Sequence, residues 1–260
     1  MIKKYFKILV YILIALWLVG AAGMALFSEK FIFSVVSKHT PESIGEQLFY
    51  ERGFGSNELK GETVDARWLA HPTSSQVVLY LSGSAGREPE IMKSLAEHYN
   101  VLSPSYPSYE KSEGKPSTKT VYETATSSVH YLLAHGYQPH DIIVWGHSLG
   151  GSPAVYLATI FKNFKRVILV NTFDSIKNMG FRRYGPLAVF GGGIFDSISL
   201  APQAGGVFRQ FHVLNDNEIP EEAALKLFGA LPMRDKVFAL VEGTHSVLDV
   251  AATLRDCGQE

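Results

Sequence analysis

Short apolar runs alternate with stretches of helical spacing along most of this chain. These runs lie at residues 76–81, 142–145, 166–170, 211–214 and 237–241, and the run at 142–145 is continuous and without polar alternation. Such runs are typical of strands that helices cover on both faces. Apolar side chains recur at helical spacing in the intervening segments, at residues 89–99, 121–133 and 220–231. The pattern therefore predicts an α/β fold, with a mostly parallel twisted sheet and helices on both faces.

The run at residues 142–145 leads into a glycine-flanked serine and then into residues 152–158, which are apolar nearly all round. Gly146, Ser148 and Gly150 make the pattern G-x-S-x-G, in which the serine occupies a sharp strand-to-helix turn above the sheet. Glycines are expected there because a Cβ atom would collide with the neighbouring strand or with the start of the helix. A glycine-rich turn with an incidental serine is the alternative.

Residues 8–27 carry no charge, and a run of that length is sufficient to span the hydrocarbon core of a bilayer. We predict a transmembrane helix with its N-terminus in the cytoplasm, because Lys3, Lys4 and Lys7 precede it. The globular part then lies on the translocated side. A cleaved signal peptide followed by secretion is one alternative, since residues 21–25 include small side chains. A buried helix of a soluble domain is another.

The pattern of apolar and polar residues predicts three segments along the chain. Residues 1–30 form the predicted anchor or signal sequence, residues 31–63 a loop-rich connecting segment, and residues 64–260 one globular domain. Residues 64–69 are expected to form an edge strand, and the Gly- and Phe-rich stretch at about 172–206 a short cap. A hydrophobic fraction of 46% and a formal net charge of −1 over 260 residues suit one domain with a sizeable core.

Composition excludes several classes of partner and ligand. The chain has no basic run or basic excess, so we expect no nucleic-acid partner. Cys257 is its single cysteine, which argues against a disulfide framework and a zinc cluster. His130, His135 and His140 are spaced five residues apart, which does not place them on one helical face, so we predict no metal site.

Three side chains suited to nucleophilic catalysis each follow a different predicted strand, in the order Ser148, Asp216 and His245. The carboxyl ends of parallel strands meet at one edge of a sheet, and functional groups collect there. A serine hydroxyl becomes a nucleophile when an imidazole takes its proton and an acid fixes the imidazole tautomer. We therefore predict Ser148 as nucleophile, His245 as general base and then acid, and Asp216 as the residue that orients the imidazole. An ordinary turn or helix cap is the alternative for Asp216 and His245.

Other residues compete for two of these roles. Asp174 and Glu218 are alternative acids, because each also follows a predicted strand. His147 lies beside the serine and His212 lies inside a strand, so neither is well placed to act as the base.

Backbone N–H groups must stabilise the oxyanion that forms when a serine attacks a carbonyl group. The amide of Leu149, directly after Ser148, is one predicted donor, and the amide of Ser84 in the glycine turn at residues 82–86 is the other. A plain tight turn or a phosphate-binding turn is the alternative for residues 82–86. The turn lacks the lysine of a P-loop and the third glycine of a dinucleotide site, so we expect no nucleotide.

Together these segments resemble the α/β-hydrolase fold serine hydrolases over roughly residues 64–260, and in particular the membrane-anchored esterases and acylhydrolases with a small cap. The matching segments are residues 77–86, 112–117 and 146–151, Asp216 with Pro220, and residues 243–245. The resemblance implies a catalytic triad of Ser148, Asp216 and His245. It also implies two oxyanion donors, the backbone N–H groups of Ser84 and Leu149. It also implies that no cofactor is needed.

Two departures from the family pattern stand out. Ser82-Gly83 replaces the usual His-Gly at the end of the oxyanion strand, which removes a side chain that often supports that loop. Residues 107–110, Pro-Ser-Tyr-Glu, replace the usual Arg-Gly-Tyr-Gly.

The sequence thus predicts a membrane-anchored serine hydrolase that cleaves ester or thioester bonds of a small-molecule or lipid-like acyl substrate. The cap residues Phe181, Phe190 and Phe195, together with the anchor, favour a lipophilic acyl group. Peptidases and amidases use the same triad, so that class is an alternative. A non-catalytic binding protein of the same fold is a further one.

Overall fold

The computed structural model describes residues 2–33, 44–53, 61–185, 194–232, 235–246, 249–250 and 253. One mixed sheet of eight strands lies at the centre of the fold. Its strands are β1 Glu46–Glu51, β2 Thr63–Leu69, β3 Val77–Leu81, β4 Asn100–Pro104, β5 Ile142–His147, β6 Arg166–Val170, β7 Phe208–Val213 and β8 Lys236–Val241. The described helices are α1 Ile2–Phe33, α2 Pro89–Ala96, α3 Thr118–Ala134, α4 Gly151–Ile160, α5 Ile176–Tyr184, α6 Ser197–Leu200 and α7 Glu221–Ala230.

The strand order in the sheet is β1-β2-β4-β3-β5-β6-β7-β8. β2 runs antiparallel to both of its neighbours, β1 and β4, and the remaining pairs are parallel. The predicted mostly parallel α/β sheet is therefore confirmed. β5 lies in the interior of the sheet, and all of its residues are buried, as its uninterrupted apolar run predicts.

Two apolar clusters cover the opposite faces of the sheet, because side chains alternate along each strand. Val144 of β5 shares one cluster with Val129 of α3 and Val155 of α4. Its neighbour Trp145 belongs to the other cluster, together with Leu95 of α2. The helices thus lie on both faces of the sheet, in agreement with the prediction.

β1 is the edge strand on the antiparallel side, and β2 lies inside the sheet between β1 and β4. The prediction of an edge strand at residues 64–69 is therefore wrong, and residues 46–51 of the predicted loop-rich connection belong to the sheet. β1 has the sequence EQLFYE, in which Phe49 is half-exposed between the inward-facing Leu48 and Tyr50. A short edge strand with glutamates at both ends lacks the uninterrupted apolar run of a central strand.

α1 contains the stretch Tyr5–Gly23, which by its length and apolar composition could cross a membrane. Its large side chains, among them Phe6, Tyr11 and Val19, are exposed. This exposure disagrees with the alternative of a buried core helix. The last residue of α1, Phe33, is instead buried against the globular part of the chain.

α5 and α6 lie between β6 and β7, in the stretch predicted as a short cap. Of the three cap phenylalanines, Phe181 is half-exposed on α5 and Phe195 is fully buried. Phe190 lies outside the described residues, as does Cys257. The division of the chain into anchor, connecting segment and globular domain stays a prediction.

Candidate active site

Ser148 lies in the sharp turn between β5 and α4, so the predicted order of strand, turn and helix is confirmed. A single 3-10 turn, Ser148–Gly150, joins the two elements. The backbone φ of Ser148 is +51°, a left-handed conformation that costs a non-glycine residue on the order of 1–2 kcal/mol. Ser148 is partly exposed at this edge of the sheet.

Close backbone contacts require both glycines of the pattern around Ser148. A Cβ atom at Gly146 would lie 2.5 Å from the carbonyl oxygen of Gly150. A Cβ atom at Gly150 would lie 2.0 Å from the carbonyl oxygen of Leu81 at the end of β3. Because the turn packs directly on its own helix and on β3, no larger residue fits at either position.

Hydrogen bonds link Ser148, His245 and Asp216 in a continuous chain. His245 Nε2 lies 3.0 Å from Ser148 Oγ, and His245 Nδ1 lies 2.8 Å from Asp216 Oδ2. Asp216 follows β7 and His245 follows β8, so the structure brings together the three side chains that the sequence places after separate strands. In this arrangement Nδ1–H donates to the acid, and Nε2 can accept the proton of the serine.

Backbone groups as well as His245 hold the carboxylate of Asp216. Its Oδ1 accepts hydrogen bonds from the N–H groups of Glu218, at 2.8 Å, and Ile219, at 3.0 Å. Burial works to raise the pKa of Asp216, but the hydrogen bonds from His245 and from these two N–H groups outweigh it and lower the pKa. The carboxylate is therefore ionised at neutral pH and can stabilise an imidazolium ion.

The two alternative acids make different contacts. Asp174 is buried in a two-point ion pair with Arg182, at 3.0 and 3.1 Å. Glu218 lies 3.6 Å from His245 Nε2, whereas Asp216 contacts Nδ1. The geometry thus favours Asp216 as the acid that orients the ring. In the described part of the chain, no group of three or more His, Cys, Asp or Glu side chains could hold a metal ion.

The glycine turn that follows β3 faces the predicted nucleophile. A Cβ atom at Gly83 would lie 3.3 Å from Ser148 Cβ, and the turn is closed by a hydrogen bond of 3.1 Å from the Gly86 N–H to the Gly83 carbonyl. Ser84 follows Gly83 in this turn, and Leu149 is buried directly after the nucleophile. One predicted oxyanion donor thus adjoins Ser148 and the other adjoins Gly83, which faces it, and the role of both stays a prediction.

Two tyrosines that the sequence pattern does not identify support the glycine turn. Tyr106 Oη donates to the carbonyl oxygen of Ser82 at 2.9 Å, and Tyr109 Oη donates to that of Ser84 at 2.7 Å. Burial raises the pKa of Tyr109, so its hydroxyl keeps the proton that it donates. The loop after β4 thus supports the glycine turn through two hydrogen bonds. The histidine that often supports this turn in the resembled family is replaced here by Ser82.

In the loop after β4, the backbone turns at residues 108 and 110, where the family that the sequence resembles has glycines. Ser108 and Glu110 have left-handed backbones, with φ of +67° and +47°. Glu110 also forms an ion pair with Arg87, which is buried directly after the glycine turn. This departure from the family pattern therefore changes the side chains while the backbone still turns at both positions.

We expect Tyr109→Phe to lower kcat for a small ester about tenfold with little change in KM, because a looser turn aligns its N–H group less well with the oxyanion. Loss of this hydrogen bond should also lower the free energy of unfolding by about 1 kcal/mol. Steady-state kinetics and urea unfolding measure the two effects.

Tyr50→Phe is the matched control for this substitution. Tyr50 is also buried, and its hydroxyl lies 2.6 Å from Ser128 Oγ, between β1 and α3. The control should lose similar stability and keep its kcat. Equal losses of kcat in the two variants would contradict a specific role of Tyr109 at the turn.

His147, the residue before the nucleophile, contacts the backbone of His245. Its Nε2 lies 2.8 Å from the carbonyl oxygen of His245, and its Nδ1 lies 3.1 Å from Glu88 Oε1. Burial works to lower the pKa of His147, but the hydrogen bond and negative charge of Glu88 outweigh it and raise the pKa. Asn171 Nδ2 donates to the same carbonyl oxygen at 2.9 Å. Side chains at the ends of β5 and β6 thus hold the backbone of the predicted base.

An apolar rim borders the site and includes Phe33, Tyr109, Leu149, Phe195 and Ile219. The ring of Phe33, at the end of α1, packs edge-on against Tyr109 and Phe195, with centroids 6.4 and 6.0 Å away. Leu149 directly follows Ser148. The rim therefore joins the end of the N-terminal helix, the cap and the nucleophile turn in one cluster.

Comparison with known sequences matches only part of the chain. A family model for the alpha/beta hydrolase fold matches residues 77–200, which include Ser148. The phosphatidylserine lipase ABHD16A of Macaca fascicularis is 30% identical over 123 residues, which are 46% of this chain and 22% of the lipase. The chain spans about a quarter or less of the length of such curated relatives.

Two solved structures share the fold at low sequence identity. The alpha/beta hydrolase GrgF from Penicillium sp. sh18 has a TM-score of 0.63 and 14% identity, covering 82% of this chain and 96% of its own. The thioesterase domain from the curacin biosynthetic pathway has a TM-score of 0.59 and 14% identity, covering 82% of this chain and 98% of its own. Both likenesses extend beyond residue 200, past the part matched by the family model.

Proposed function

This chain is a protein of the α/β-hydrolase fold, and from that premise we propose that it is a serine hydrolase of carboxylic ester or thioester bonds. The observation that carries the proposal is the continuous hydrogen-bond chain from Ser148 Oγ through His245 to Asp216. This is the arrangement that activates a serine hydroxyl and stabilises the imidazolium formed in the reaction. The partial match to a phosphatidylserine lipase supports it.

In the proposed reaction, His245 Nε2 takes the proton of Ser148 Oγ as that oxygen forms a bond to the substrate carbonyl carbon. The carbonyl oxygen becomes an oxyanion, for which the N–H groups of Leu149 and Ser84 are the proposed donors. When the intermediate collapses, the bond to the leaving alcohol or thiol breaks and Nε2–H gives it the proton. Water then repeats both steps on the acyl-enzyme and releases the carboxylic acid. Asp216 remains ionised and stabilises the imidazolium.

A lipophilic acyl group is the part of the substrate that we assign to the apolar rim. The membership of Leu149, directly after Ser148, in one apolar cluster with Phe33 and Phe195 supports this assignment, because an acyl chain binds best beside apolar side chains. The exposed apolar side chains of α1 support a membrane anchor. We propose that the N-terminus lies in the cytoplasm and the catalytic domain on the translocated side. Secretion after signal cleavage is the alternative.

Hydrolysis by the full chain in neutral detergent micelles tests the proposed reaction class. We expect the p-nitrophenyl ester and the thioester of hexanoic acid to be cleaved with kcat/KM about 100-fold above the hexanoyl anilide, because attack on an amide must overcome its resonance. A preference for the anilide would favour the peptidase or amidase alternative. Failure to cleave any of the three would favour a binding protein of the same fold.

A further inference from the structure

Glu218 lies beside His245 Nε2, the ring nitrogen that faces Ser148. It follows Asp216 by two residues, and its backbone N–H donates to Asp216 Oδ1 at 2.8 Å. Its side chain is 62% exposed, and Oε2 lies 3.6 Å from His245 Nε2. The backbone hydrogen bond places the start of this side chain beside Asp216, and its carboxylate lies near the imidazole of His245.

His245 Nε2 is the atom that exchanges protons in the proposed reaction, and it lies 3.0 Å from Ser148 Oγ. A leaving oxygen or sulfur must come within about 3 Å of this nitrogen to receive its proton. Since Glu218 Oε2 is 3.6 Å from the same nitrogen, its carboxylate lies within about 7 Å of the departing atom.

Two further carboxylates lie near this position, and each is paired with a histidine ring. Asp216 and Glu88 each place a carboxylate against one of the two histidine rings of the site, whose centroids are 5.3 Å apart. Arg87, which precedes Glu88, is buried in an ion pair with Glu110. A cation on the leaving group would therefore meet opposite charge next to the reacting atoms, and an anion would be repelled.

We propose that Glu218 is a specificity-determining residue that selects leaving alcohols or thiols bearing a positive charge. The substrate class is an acyl ester or thioester of an amino alcohol or amino thiol with a protonated or quaternary nitrogen. When the acyl bond breaks, the Nε2 proton passes to the leaving atom and the imidazolium becomes neutral. Glu218 takes no part in this proton transfer, and the cation of the leaving group becomes its partner. This inference rests on the proposed hydrolase function.

Hexanoylcholine and its neutral isostere, in which a tert-butyl group replaces the trimethylammonium group, test the inference because they differ in charge alone. For the full chain in neutral detergent micelles at low salt, we expect kcat/KM to favour the choline ester about tenfold, since water screens an exposed carboxylate. Glu218→Gln should bring this ratio to about one, and Glu218→Lys should reverse it. High ionic strength should lower the wild-type ratio. An effect of Glu218 on His245 would change kcat/KM for both esters by the same factor, so it does not alter their ratio.

Glu222→Gln is the matched control, because Glu222 is similarly exposed and pairs with Lys226 at 2.7 Å on α7. It should keep the wild-type ratio. A ratio of one in the wild type, or an unchanged ratio in Glu218→Gln, would overturn the inference while leaving ester hydrolysis intact. Failure of the wild type to hydrolyse either ester, with no fluorophosphonate labelling of Ser148, would instead overturn the proposed function and this inference with it.

Discussion

Replacing Ser148 with alanine is expected to abolish labelling by a fluorophosphonate probe and to lower kcat for ester hydrolysis by about 10⁶. The probe forms a bond to a serine oxygen that a neighbouring base has activated, and His245 Nε2 lies 3.0 Å from this one. Alanine removes the oxygen that the probe phosphonylates, with loss of fluoride, and that the substrate acylates. In-gel fluorescence of the labelled chain and steady-state kinetics measure the two losses.

Ser128→Ala controls for the loss of a buried serine hydroxyl. Ser128 is buried on α3, where it bonds to Tyr50 and to the carbonyl oxygen of Thr124. This variant should be labelled like the wild type. Equal labelling of Ser148→Ala and the wild type would contradict the assignment of the nucleophile.

Asp216→Asn is expected to lower kcat by about 10⁴ with a much smaller change in KM. The asparagine has a similar shape, but its amide group can donate to the imidazole and so stabilise the tautomer that protonates Nε2. That tautomer cannot accept the proton of Ser148. The loss should appear in the chemical step, and single-turnover release of p-nitrophenol measures it.

Stability should also depend on pH through Asp216. Its hydrogen bonds lower its pKa below the ordinary value of 3.8, so its stabilising charge is fully present above that value and is lost as pH falls through the lower folded pKa. The difference in unfolding free energy between wild type and Asp216→Asn should therefore shrink below about pH 4. Urea unfolding at several pH values measures this difference.

Asp174→Asn distinguishes the proposed acid, Asp216, from an acid whose role is a buried structural ion pair. It removes a charge from the two-point pair with Arg182, which we expect to lower the unfolding free energy by about 3 kcal/mol. The folded fraction should keep a kcat of the wild-type order. A larger loss of kcat in Asp174→Asn than in Asp216→Asn would mean that Asp216 is not the acid.

The nucleophile turn could be predicted from the sequence because its physical requirements are local. Gly146 and Gly150 stand where a Cβ atom would collide with backbone atoms, and β5 is uninterrupted because helices cover both of its faces. Parallel strands end at the same edge of a sheet, so the order of Ser148, Asp216 and His245 along the chain was sufficient to predict their meeting.

The supports of the site could not be predicted in this way. The bonds of Tyr109 to Ser84 and of His147 to Glu88 join residues far apart in the chain. A tyrosine in a loop or a histidine at the end of a strand carries no sequence signal for its partner. β1 was missed for a different reason, since a half-exposed strand with polar ends resembles a loop in composition.

The burial of Phe33 determines how α1 can hold the domain at a bilayer. Phe27 is the last apolar residue of the uncharged stretch, and six further residues of helix advance about 9 Å, roughly the depth of the lipid headgroups. Because Phe33 packs within the apolar rim, the end of α1 is attached to the domain by side-chain contacts and not by a flexible linker alone. In a membrane spanned by α1, Ser148 would therefore stay at a nearly constant distance from the bilayer, and turnover would follow the surface density of substrate among the lipids rather than its bulk concentration.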